Sequence, residues 1–372
     1  MTKVVSVLIA DDSALMRREI RRILESDPGI KVLGTARNGK DAIEMIKELN
    51  PDVVTLDINM PVMDGMTALA HIMMECPRPV IMLSSLTQEG ALTTYEALEL
   101  GAVDYIAKPG GTVSVNIEQL AHEMIAKIKA VVGANLSVIA ATRRRRRALR
   151  VVERKQSPPM MQGSNSRIIV IGESTGGPNT IFDILPLLPP TLGVPIILVQ
   201  HMPSTFTPGF ASRLNQYCQI PVKQAESGDI LQANHAYLAP GGSQLVLARS
   251  GNPKDGIMLR TSLQPNTLHK PSVDVTMKSA LELYGTGTIG VLLTGMGDDG
   301  ADAMVAIRHA GGRTIAESEE TCVVFGMPKE AIRRGGAEFV LPSYEIATQL
   351  INLIAGGNAK GGKSGLRKTN NG

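Results

Sequence analysis

Three polar residues that could share one catalytic task follow three separate apolar runs. Ser174 follows RIIVIGE, His201 follows PIILVQ, and the acidic pair Asp298 and Asp299 comes shortly after TIGVLLTG. If these runs are parallel strands, their carboxyl ends lie along one edge of a sheet and the side chains can meet there. Acyl transfer requires a serine nucleophile, a histidine general base and an aspartate that orients the imidazole. The pattern therefore predicts a serine hydrolase site.

Each of these residues also has an ordinary structural interpretation, so alternatives remain open at this point. Ser174 could be a turn residue, His201 a packed histidine, and either aspartate a helix N-cap. The loop GESTGG could bind a dinucleotide, but it lacks the GxGxxG spacing and the acidic residue expected after the next strand. A zinc hydrolase that uses His201, His235 and His269 is a further alternative, although no HExxH spacing is present.

A second set of chemically useful residues lies near the start of the chain. Asp11 and Asp12 follow the first apolar run, Asp57 follows the third, and Lys108 follows the fifth. Three carboxylates at one sheet edge repel one another unless a cation lies among them, and an oxygen-lined site of this kind suits Mg²⁺. Asp57 could then accept a phosphoryl group, with Lys108 as a positive charge beside the phosphoryl oxygens. Solvated strand-end acids are the alternative.

The elements that position these residues follow from the alternation of apolar runs with amphipathic stretches. Five such runs between residues 4 and 132 predict a doubly wound α/β domain, in which Ser13 and Asn38 cap helices. A second series over residues 167–355 predicts another doubly wound α/β domain with a mainly parallel sheet. Its middle segment around Pro240 predicts a hairpin.

Residues 133–166 interrupt this alternation. They contain the unbroken run Arg143 to Arg147 and then several Pro, Gly and Ser residues, which predicts a basic flexible linker. A patch that binds nucleic acid or an acidic surface is the alternative for the arginine run. Residues 356–372 are rich in Gly, Lys and Asn and predict a disordered basic tail.

Length and composition set limits on the class of protein. The chain has 372 residues, 43% of them hydrophobic, and 20% charged, which predicts two globular domains. Its 3 cysteines cannot form a disulfide framework, which fits a reducing cytoplasm. The first apolar run meets Asp11 at once, so we expect neither a signal sequence nor membrane insertion. The positive charge is concentrated in the linker and tail, so no nucleic-acid partner is expected for the folded parts.

The motifs of the first domain resemble those of response-regulator receiver domains. The similar segments are LIADDSALMR, VTLDINMPVMDGM, VIMLSS and YIAKP. The resemblance implies a flavodoxin-like domain with a five-stranded parallel sheet, in which Asp57 is phosphorylated and binds Mg²⁺. The other implied metal ligands and phospho-switch residues are Asp11, Asp12, Asn59 through its backbone carbonyl, Ser84, Tyr105 and Lys108.

The motifs of the second domain resemble those of the CheB family, the chemotaxis protein-glutamate methylesterases and glutamine deamidases. The similar segments are IGESTGGP, VQHMPSTFTPGFASRL, YLAPGGSQL, KPSVDV, LLTGMGDDGADAM and VVFGMPKEA. The resemblance implies Ser174 as the nucleophile, His201 as the base and Asp299 as the orienting acid, with no cofactor for the esterase reaction. Backbone N–H groups around Thr175 and near Met296 are our candidates for the oxyanion hole.

The resemblance also implies a substrate and a mode of regulation. The substrates would be methyl-accepting chemoreceptors in the cytoplasm, and the histidine kinase CheA would be the phosphodonor. A receiver docked over Ser174 would block a receptor helix until phosphorylation repacks the docking face, so a fragment beginning near Ser166 should be active without phosphorylation. A two-component regulator with a DNA-binding output and a catalytically silent receptor-docking module are the alternatives.

Two acidic residues depart from the family pattern. Glu173 precedes the candidate nucleophile, where a small residue is usual, and Asp298 precedes Asp299, where asparagine is frequent. Either carboxylate would raise the pKa of His201 and disfavour an oxyanion if it faced the site. We expect Glu173 to point away from the site or toward a basic partner.

Overall fold

The first domain is a five-stranded parallel sheet covered by helices on both faces. A computed structural model of the chain describes residues 4–85, 87–108, 117–134, 136–149, 166–251 and 256–356. In the first domain the strand order is β2-β1-β3-β4-β5. The elements are β1 (Val5–Ala10), α1 (Ala14–Glu25), β2 (Ile30–Ala36), α2 (Gly39–Leu49), β3 (Val53–Asp57), α3 (Gly65–Glu75), β4 (Val80–Ser84), α4 (Gln88–Leu100), β5 (Asp104–Ala107) and α5 (Ile117–Val131).

Local sequence determines where these helices begin. The Ser13 side chain accepts a hydrogen bond from the backbone N–H of Met16, and Asn38 Oδ1 accepts one from the N–H of Asp41 at 2.9 Å. Strands β3 and β4 are buried throughout because helices cover both faces of the sheet. The predicted doubly wound, flavodoxin-like domain is confirmed.

A helix occupies the first half of the predicted flexible linker. Helix α6 (Leu136–Leu149) contains the arginine run. Its sequence is rich in Leu, Ala and Arg and contains neither Gly nor Pro, so helix propensity is high. The Thr142 hydroxyl and Arg145 Nη2 both donate to Asp183 Oδ2 at 3.0 Å, which fixes the helix to the second domain. The structure therefore corrects the linker prediction for this half, while residues 150–165 and the tail from 357 onward lie outside the described residues.

Helices α5 and α6 were tested as a possible membrane span. Within the described ranges, no single helix is long and apolar enough to cross a bilayer. The two helical segments Ala121–Val131 and Leu136–Thr142, which meet at a sharp bend, are long and apolar enough only when they are taken together. Met124, Ile128 and Val131 of this pair are buried in an apolar cluster with residues of β1 and β2.

The second domain contains a seven-stranded parallel sheet of order β14-β13-β12-β6-β7-β9-β8. The strands of this sheet are β6 (Ile168–Glu173), β7 (Ile196–Gln200), β8 (Val222–Gln224), β9 (Ala236–Leu238), β12 (Thr288–Leu292), β13 (Arg313–Glu317) and β14 (Phe339–Leu341). The helices are α7 (Gly177–Thr180), α8 (Thr207–Tyr217), α9 (Val273–Tyr284), α10 (Ala301–His309), α11 (Met327–Arg333) and α12 (Ser343–Ile354). Three 3₁₀ turns occur at Ile181–Asp183, Leu185–Leu187 and Gly285–Gly287.

The predicted hairpin is separate from this sheet. Strands β10 (Gln244–Arg249) and β11 (Ile257–Ser262) pair antiparallel as a two-stranded sheet. The mainly parallel α/β fold with a hairpin is therefore confirmed. The short strands β8 and β9 were not predicted to join the main sheet, because three-residue strands carry too little periodicity to be recognised.

Candidate active site and phosphorylation site

Ser174 and His201 lie side by side at the carboxyl ends of neighbouring strands. Glu173 at the end of β6 is in register with Gln200 at the end of β7, and adjacent strands are about 4.8 Å apart. The backbone N–H of His201 donates to the carbonyl of Glu173 at 3.1 Å, so this register continues past the strand ends. The backbone register thus places the predicted serine and histidine at neighbouring positions of one sheet edge.

Asp299 orients the imidazole of His201. Its Oδ2 lies 2.8 Å from His201 Nε2, and the two side chains are only 11% and 9% exposed. The same carboxyl accepts hydrogen bonds from Ser272 Oγ and from the N–H groups of Val273 and Asp274 at the start of α9. Burial alone would raise the pKa of Asp299, but the His201 and backbone hydrogen bonds hold it well below its usual value. Asp299 is therefore a carboxylate, and Nε2 is the ring nitrogen that donates to it.

The other ring nitrogen of His201 is available to act as a base. Nδ1 is buried and has no hydrogen-bond partner among the described residues. The ring of His269 stacks on the His201 ring, with centroids 3.9 Å apart and planes at 10°. Burial, and then the neighbouring His201, lower the pKa of His269 to about 4, so His269 is neutral near pH 7. From the sequence, His269 was predicted only as an alternative zinc ligand, because no pattern in the sequence pairs its loop with His201.

The histidines of the zinc alternative do not converge in the described part of the chain. His201 and His269 stack face to face, which is not how two ligands of one metal are arranged. His235 Nδ1 instead contacts the carbonyl of Ala233 at 3.0 Å. The only group of three potential metal-ligating residues among the described residues lies in the first domain.

The turn that carries Ser174 requires two glycines at close backbone approaches. The N–H of Ser174 donates to the Thr294 carbonyl at 3.0 Å. A Cβ atom on Gly295 would lie 2.8 Å from the Ser174 Cβ, and one on Gly176 would lie 2.5 Å from the Val323 Cβ. Gly176 also has φ +83°, which disfavours other residues. These glycines let the ends of β6 and β12 meet around Ser174.

The two predicted oxyanion-hole positions flank this turn. The backbone N–H groups of Thr175 and Met296 donate to no backbone acceptor within the described ranges, whereas the N–H of Ser174 is already used by Thr294. Gly297 follows Met296 with φ +83°, which turns the chain sharply at this point. Thr175 and Met296 remain candidates for binding an oxyanion.

The two unexpected acids have different surroundings. Asp298 is 60% exposed on its side chain and forms an ion pair with Arg334. Glu173 is fully buried, and neither of its carboxyl oxygens has a hydrogen-bond partner among the described residues. Burial, and then the nearby Glu317, raise the pKa of Glu173 well above its usual value. Of the two expectations for Glu173, a basic partner is not found among the described residues, and its orientation away from the site stays a prediction. A neutral Glu173 adds no charge near His201.

The acidic site of the first domain forms as predicted. Oxygen atoms of Asp11, Asp12 and Asp57 lie within 4.8 Å of one another. Lys108 Nζ is 2.7 Å from Asp57 Oδ1 and 2.9 Å from Asp11 Oδ2. Burial raises the pKa of Asp57 despite Lys108, while the two carboxylates raise that of Lys108 in spite of its burial. Closely spaced, hard carboxylate oxygens are a donor set that fits Mg²⁺. Asn59 also reaches this site, because its backbone N–H donates to Asp57.

Ser84 and Tyr105 connect this acidic site to other elements. The Ser84 hydroxyl lies 2.7 Å from Thr94 Oγ1 and 3.2 Å from the Gly90 carbonyl, so it contacts α4 in this conformation. The Tyr105 ring is buried and stacks on Phe206 of the second domain, with centroids 4.6 Å apart and planes at 16°. Tyr105 therefore lies in a contact between the domains.

Comparison with known proteins identifies both domains. A family model described as CheB methylesterase matches residues 169–350, and one described as response regulator receiver domain matches residues 7–116. A protein-glutamate methylesterase/protein-glutamine glutaminase of Caldanaerobacter subterraneus subsp. tengcongensis is 48% identical over 95% of this chain and 98% of its own. The chain belongs to this family. Relatives with the same name are 51% identical in Carboxydothermus hydrogenoformans, over 94% of this chain and 99% of theirs, and 43% in Archaeoglobus fulgidus, over 94% and 97%.

The receiver domain of this family member contacts the residues that follow both Ser174 and His201. Thr175 Oγ1 donates to Asp104 Oδ2 at 2.7 Å in a buried position. The Tyr95 hydroxyl lies 3.8 Å from Met202 Sδ and donates to the Phe206 carbonyl. These contacts join strand β5 and helix α4 of the receiver to the loops of the candidate active site, and sequence analysis identified none of these pairs.

An ion pair lies beside these contacts at the domain interface. Arg213 Nη2 on α8 is 2.6 Å from Glu99 Oε2 on α4, and both side chains are largely covered. The Tyr95 ring stacks on Phe210, with centroids 5.6 Å apart. The interface thus combines aromatic packing with one charged pair.

Proposed function

We propose that this chain is a phosphorylation-activated serine hydrolase that demethylates glutamate methyl esters and deamidates glutamines of methyl-accepting chemoreceptors. The observation that carries the proposal is the Asp299–His201 hydrogen bond of 2.8 Å, which leaves Nδ1 of His201 without a partner among the described residues. The strand register places His201 next to Ser174 at the sheet edge. The names of the relatives support the substrate class. A DNA-binding output has no support, because the methylesterase family model covers the second domain.

In the proposed first step, the Ser174 hydroxyl attacks the carbonyl carbon of a γ-glutamyl methyl ester. His201 Nδ1 takes the hydroxyl proton as the new C–O bond forms, and Asp299 stabilises the resulting imidazolium. The carbonyl oxygen becomes an oxyanion, for which the N–H groups of Thr175 and Met296 are the proposed donors. Collapse of this intermediate breaks the ester bond, and the methoxy group leaves as methanol with the proton from His201.

In the proposed second step, water resolves the acyl-enzyme. His201 takes a proton from the water, whose oxygen attacks the acyl carbon of the Ser174 ester. The carboxylic acid that is released loses its own proton to solvent and becomes the glutamate carboxylate, while His201 still holds the proton from the water. The proton then returns to Ser174 Oγ, so the enzyme is regenerated. Deamidation of glutamine follows the same course with ammonia as the leaving group. The neutral, stacked ring of His269 covers one face of His201 and limits the orientations of its ring.

We propose that Asp57 accepts the phosphoryl group from a histidine kinase, CheA. The Asp57 carboxylate would attack phosphorus as the bond from phosphorus to the kinase histidine nitrogen breaks and the imidazole leaves. Lys108 would then pair with a phosphoryl oxygen in place of its present contact with Asp57. Asp11, Asp12 and Asp57, with the Asn59 carbonyl, would hold Mg²⁺. When bound, Mg²⁺ supplies charge neutralisation for the transferring phosphoryl group.

Replacement of Asp57 by alanine is expected to abolish phosphorylation from a small phosphodonor, because it removes the proposed acceptor, and the other carboxylate beside Lys108, Asp11, is assigned to the metal. Basal methanol release should persist in this variant. Mass spectrometry of the full chain after treatment with acetyl phosphate and Mg²⁺ measures the modification. Asp64→Ala is the matched control, since Asp64 is an exposed cap of α3 near the same strand end. An Asp57→Ala chain labelled as fully as the control would contradict the assignment.

The contacts between the domains support a blocking mechanism. A receptor helix would have to approach Ser174 past the receiver, in which Asp104 and Tyr95 contact the loops after Ser174 and His201. Beside them, Glu99 pairs with Arg213 of helix α8. The Ser84 hydroxyl contacts α4, the helix that carries Tyr95 and Glu99. Movement of Ser84 toward a phosphoryl group would therefore remove contacts that hold α4 in the docked arrangement.

Reversal of the charge at Glu99 is expected to activate the unphosphorylated enzyme. Glu99→Arg places two cations in contact at the interface, which lowers the free energy needed to separate the receiver from the second domain. Basal methanol release should therefore rise about tenfold. The double variant Glu99→Arg/Arg213→Glu restores an opposite-charge pair and should return the rate toward that of the wild type. Steady-state methanol release without phosphodonor measures both. Equal basal rates in the wild type and Glu99→Arg would contradict blocking through this interface.

A further inference from the structure

Glu317 is a buried carboxyl that the proposed reaction does not use. It is the last residue of β13 and is completely buried. Burial of a carboxyl group in a protein interior is unfavourable unless hydrogen bonds compensate for the lost water. The Glu317 oxygens are occupied by two donors: Oε2 accepts from the N–H of Thr294 at 2.7 Å and Oε1 from Thr321 Oγ1 at 2.8 Å.

The Glu317 carboxyl accepts a hydrogen bond from the N–H of Thr294, for which the sheet supplies no backbone acceptor. Strands β12 and β13 pair only as far as Leu292 and Ala316. Beyond this point β13 is held by its other neighbour, since the N–H of Ser318 donates to the Leu341 carbonyl of β14. The buried N–H of Thr294 would have no strand partner there, and the Glu317 side chain accepts its hydrogen bond instead.

Thr294 in turn holds the backbone on both sides of Ser174. Its carbonyl accepts from the N–H of Ser174 at 3.0 Å, and its hydroxyl donates to the carbonyl of Thr175 at 3.0 Å. The hydroxyl also accepts from the N–H of Val324 at 2.9 Å. Three segments therefore meet at Thr294, and one of them carries both the candidate nucleophile Ser174 and the candidate oxyanion donor Thr175.

The Glu317 carboxyl is itself fixed from the opposite side. Thr321 Oγ1, which donates to Glu317, accepts a hydrogen bond from the N–H of Ser343 at 2.9 Å at the start of α12. A displacement of Glu317 would thus be resisted by a second element of the fold. The carboxyl has a defined position rather than a choice of rotamers.

We propose that Glu317 is a positioning residue of the hydrolase, which fixes Thr294 and through it the backbone around Ser174. This inference rests on the proposed function, in which Ser174 is the nucleophile. Loss of the carboxyl would let the Thr294 segment move relative to Ser174, and displacements of a reacting group by a fraction of an ångström lower the rate of the chemical step. Substrate binding outside this turn would not change.

The test compares full-length variants under activating conditions with phosphodonor and Mg²⁺. Glu317→Ala is expected to lower kcat for methanol release about tenfold or more with KM within about twofold, whereas Glu317→Gln, which keeps an acceptor, should stay within about threefold. Thr314→Ala is the matched control, because it removes a buried side chain of the same strand whose Oγ1 accepts from the N–H of Glu338. The control should lower the unfolding temperature without lowering kcat.

A second readout separates this inference from the proposed function. The rate at which a fluorophosphonate labels Ser174 reports the reactivity of the serine without any receptor substrate, and Glu317→Ala should slow it about tenfold. If wild-type Ser174 is labelled but no methanol is released, the proposed substrate is wrong and the labelling rates still decide the role of Glu317. If Glu317→Ala does not fold, Thr321→Val, which removes one donor, should lower kcat about threefold. Equal kcat and labelling rates in the Glu317 or Thr321 variant and the Thr314 control would overturn the inference.

Discussion

Replacement of Ser174 by alanine is expected to lower methanol release from methylated chemoreceptor membranes by a factor on the order of 10⁴ or more. The variant keeps His201 and Asp299, which lie 2.8 Å apart. It lacks Ser174 Oγ, the atom that forms the covalent bond to the substrate in the proposed mechanism. Because no acyl-enzyme can form, remaining activity would require direct attack by water.

A matched serine variant distinguishes loss of the nucleophile from general damage. Ser204 is exposed in the loop that follows His201, so Ser204→Ala changes a nearby serine outside the proposed machinery. Its rate should equal that of the wild type. A Ser174→Ala enzyme that retained more than about a tenth of the wild-type rate would exclude Ser174 as the nucleophile.

Replacement of Asp299 by asparagine is expected to lower kcat by roughly 10⁴, the size of effect seen when a triad aspartate loses its charge. Each oxygen of Asp299 accepts from a backbone N–H, Oδ2 from Val273 and Oδ1 from Asp274. The amide group of asparagine must therefore face one backbone donor in either orientation. The substitution also removes the charge that stabilises the His201 imidazolium.

The neighbouring acid provides a control of the same chemistry. Asp298→Asn makes the identical change one residue earlier, where the side chain is exposed and pairs with Arg334. This variant should stay within about twofold of the wild type, because exposed ion pairs contribute little. The measurement is steady-state kcat for the two variants and the wild type. Similar losses of kcat in Asp298→Asn and Asp299→Asn would contradict the role assigned to Asp299.

The residues that share a strand-end position were the ones that sequence reasoning could predict. Ser174 and His201 each follow an apolar run directly, so the geometry of a parallel sheet was enough to predict their meeting. The same rule brought Asp11, Asp57 and Lys108 together in the receiver. The choice of Asp299 over Asp298 came from family resemblance, and the structure supplies its physical reason in the hydrogen bond to His201.

Residues whose partners lie on another element or domain could not be predicted in this way. The stacking of His269 on His201 and the hydrogen bond from Thr294 to Glu317 join loops that have no common pattern in the sequence. The bond from Thr175 to Asp104 depends on how two domains pack, which strand and helix periodicity do not determine.

Helix α6 shows a different limit of the sequence reasoning. The Pro, Gly and Ser residues after residue 156 favoured a linker over the whole interval, although the segment before them has high helix propensity. Asp183 supplies the buried acceptor that fixes this helix through Thr142 and Arg145. The sequence of α6 contains no sign of this tertiary partner.

The proposed coupling between Asp57 and Ser174 is the central claim, and methanol release by the full-length protein tests it most directly. Wild-type protein and Asp57→Ala would each be incubated with methylated chemoreceptor membranes, with and without acetyl phosphate and Mg²⁺. We expect the wild-type rate to rise about tenfold with phosphodonor and the Asp57→Ala rate to stay at the basal level. An equal rate in the wild type under both conditions, at confirmed phosphorylation of Asp57, would contradict the account.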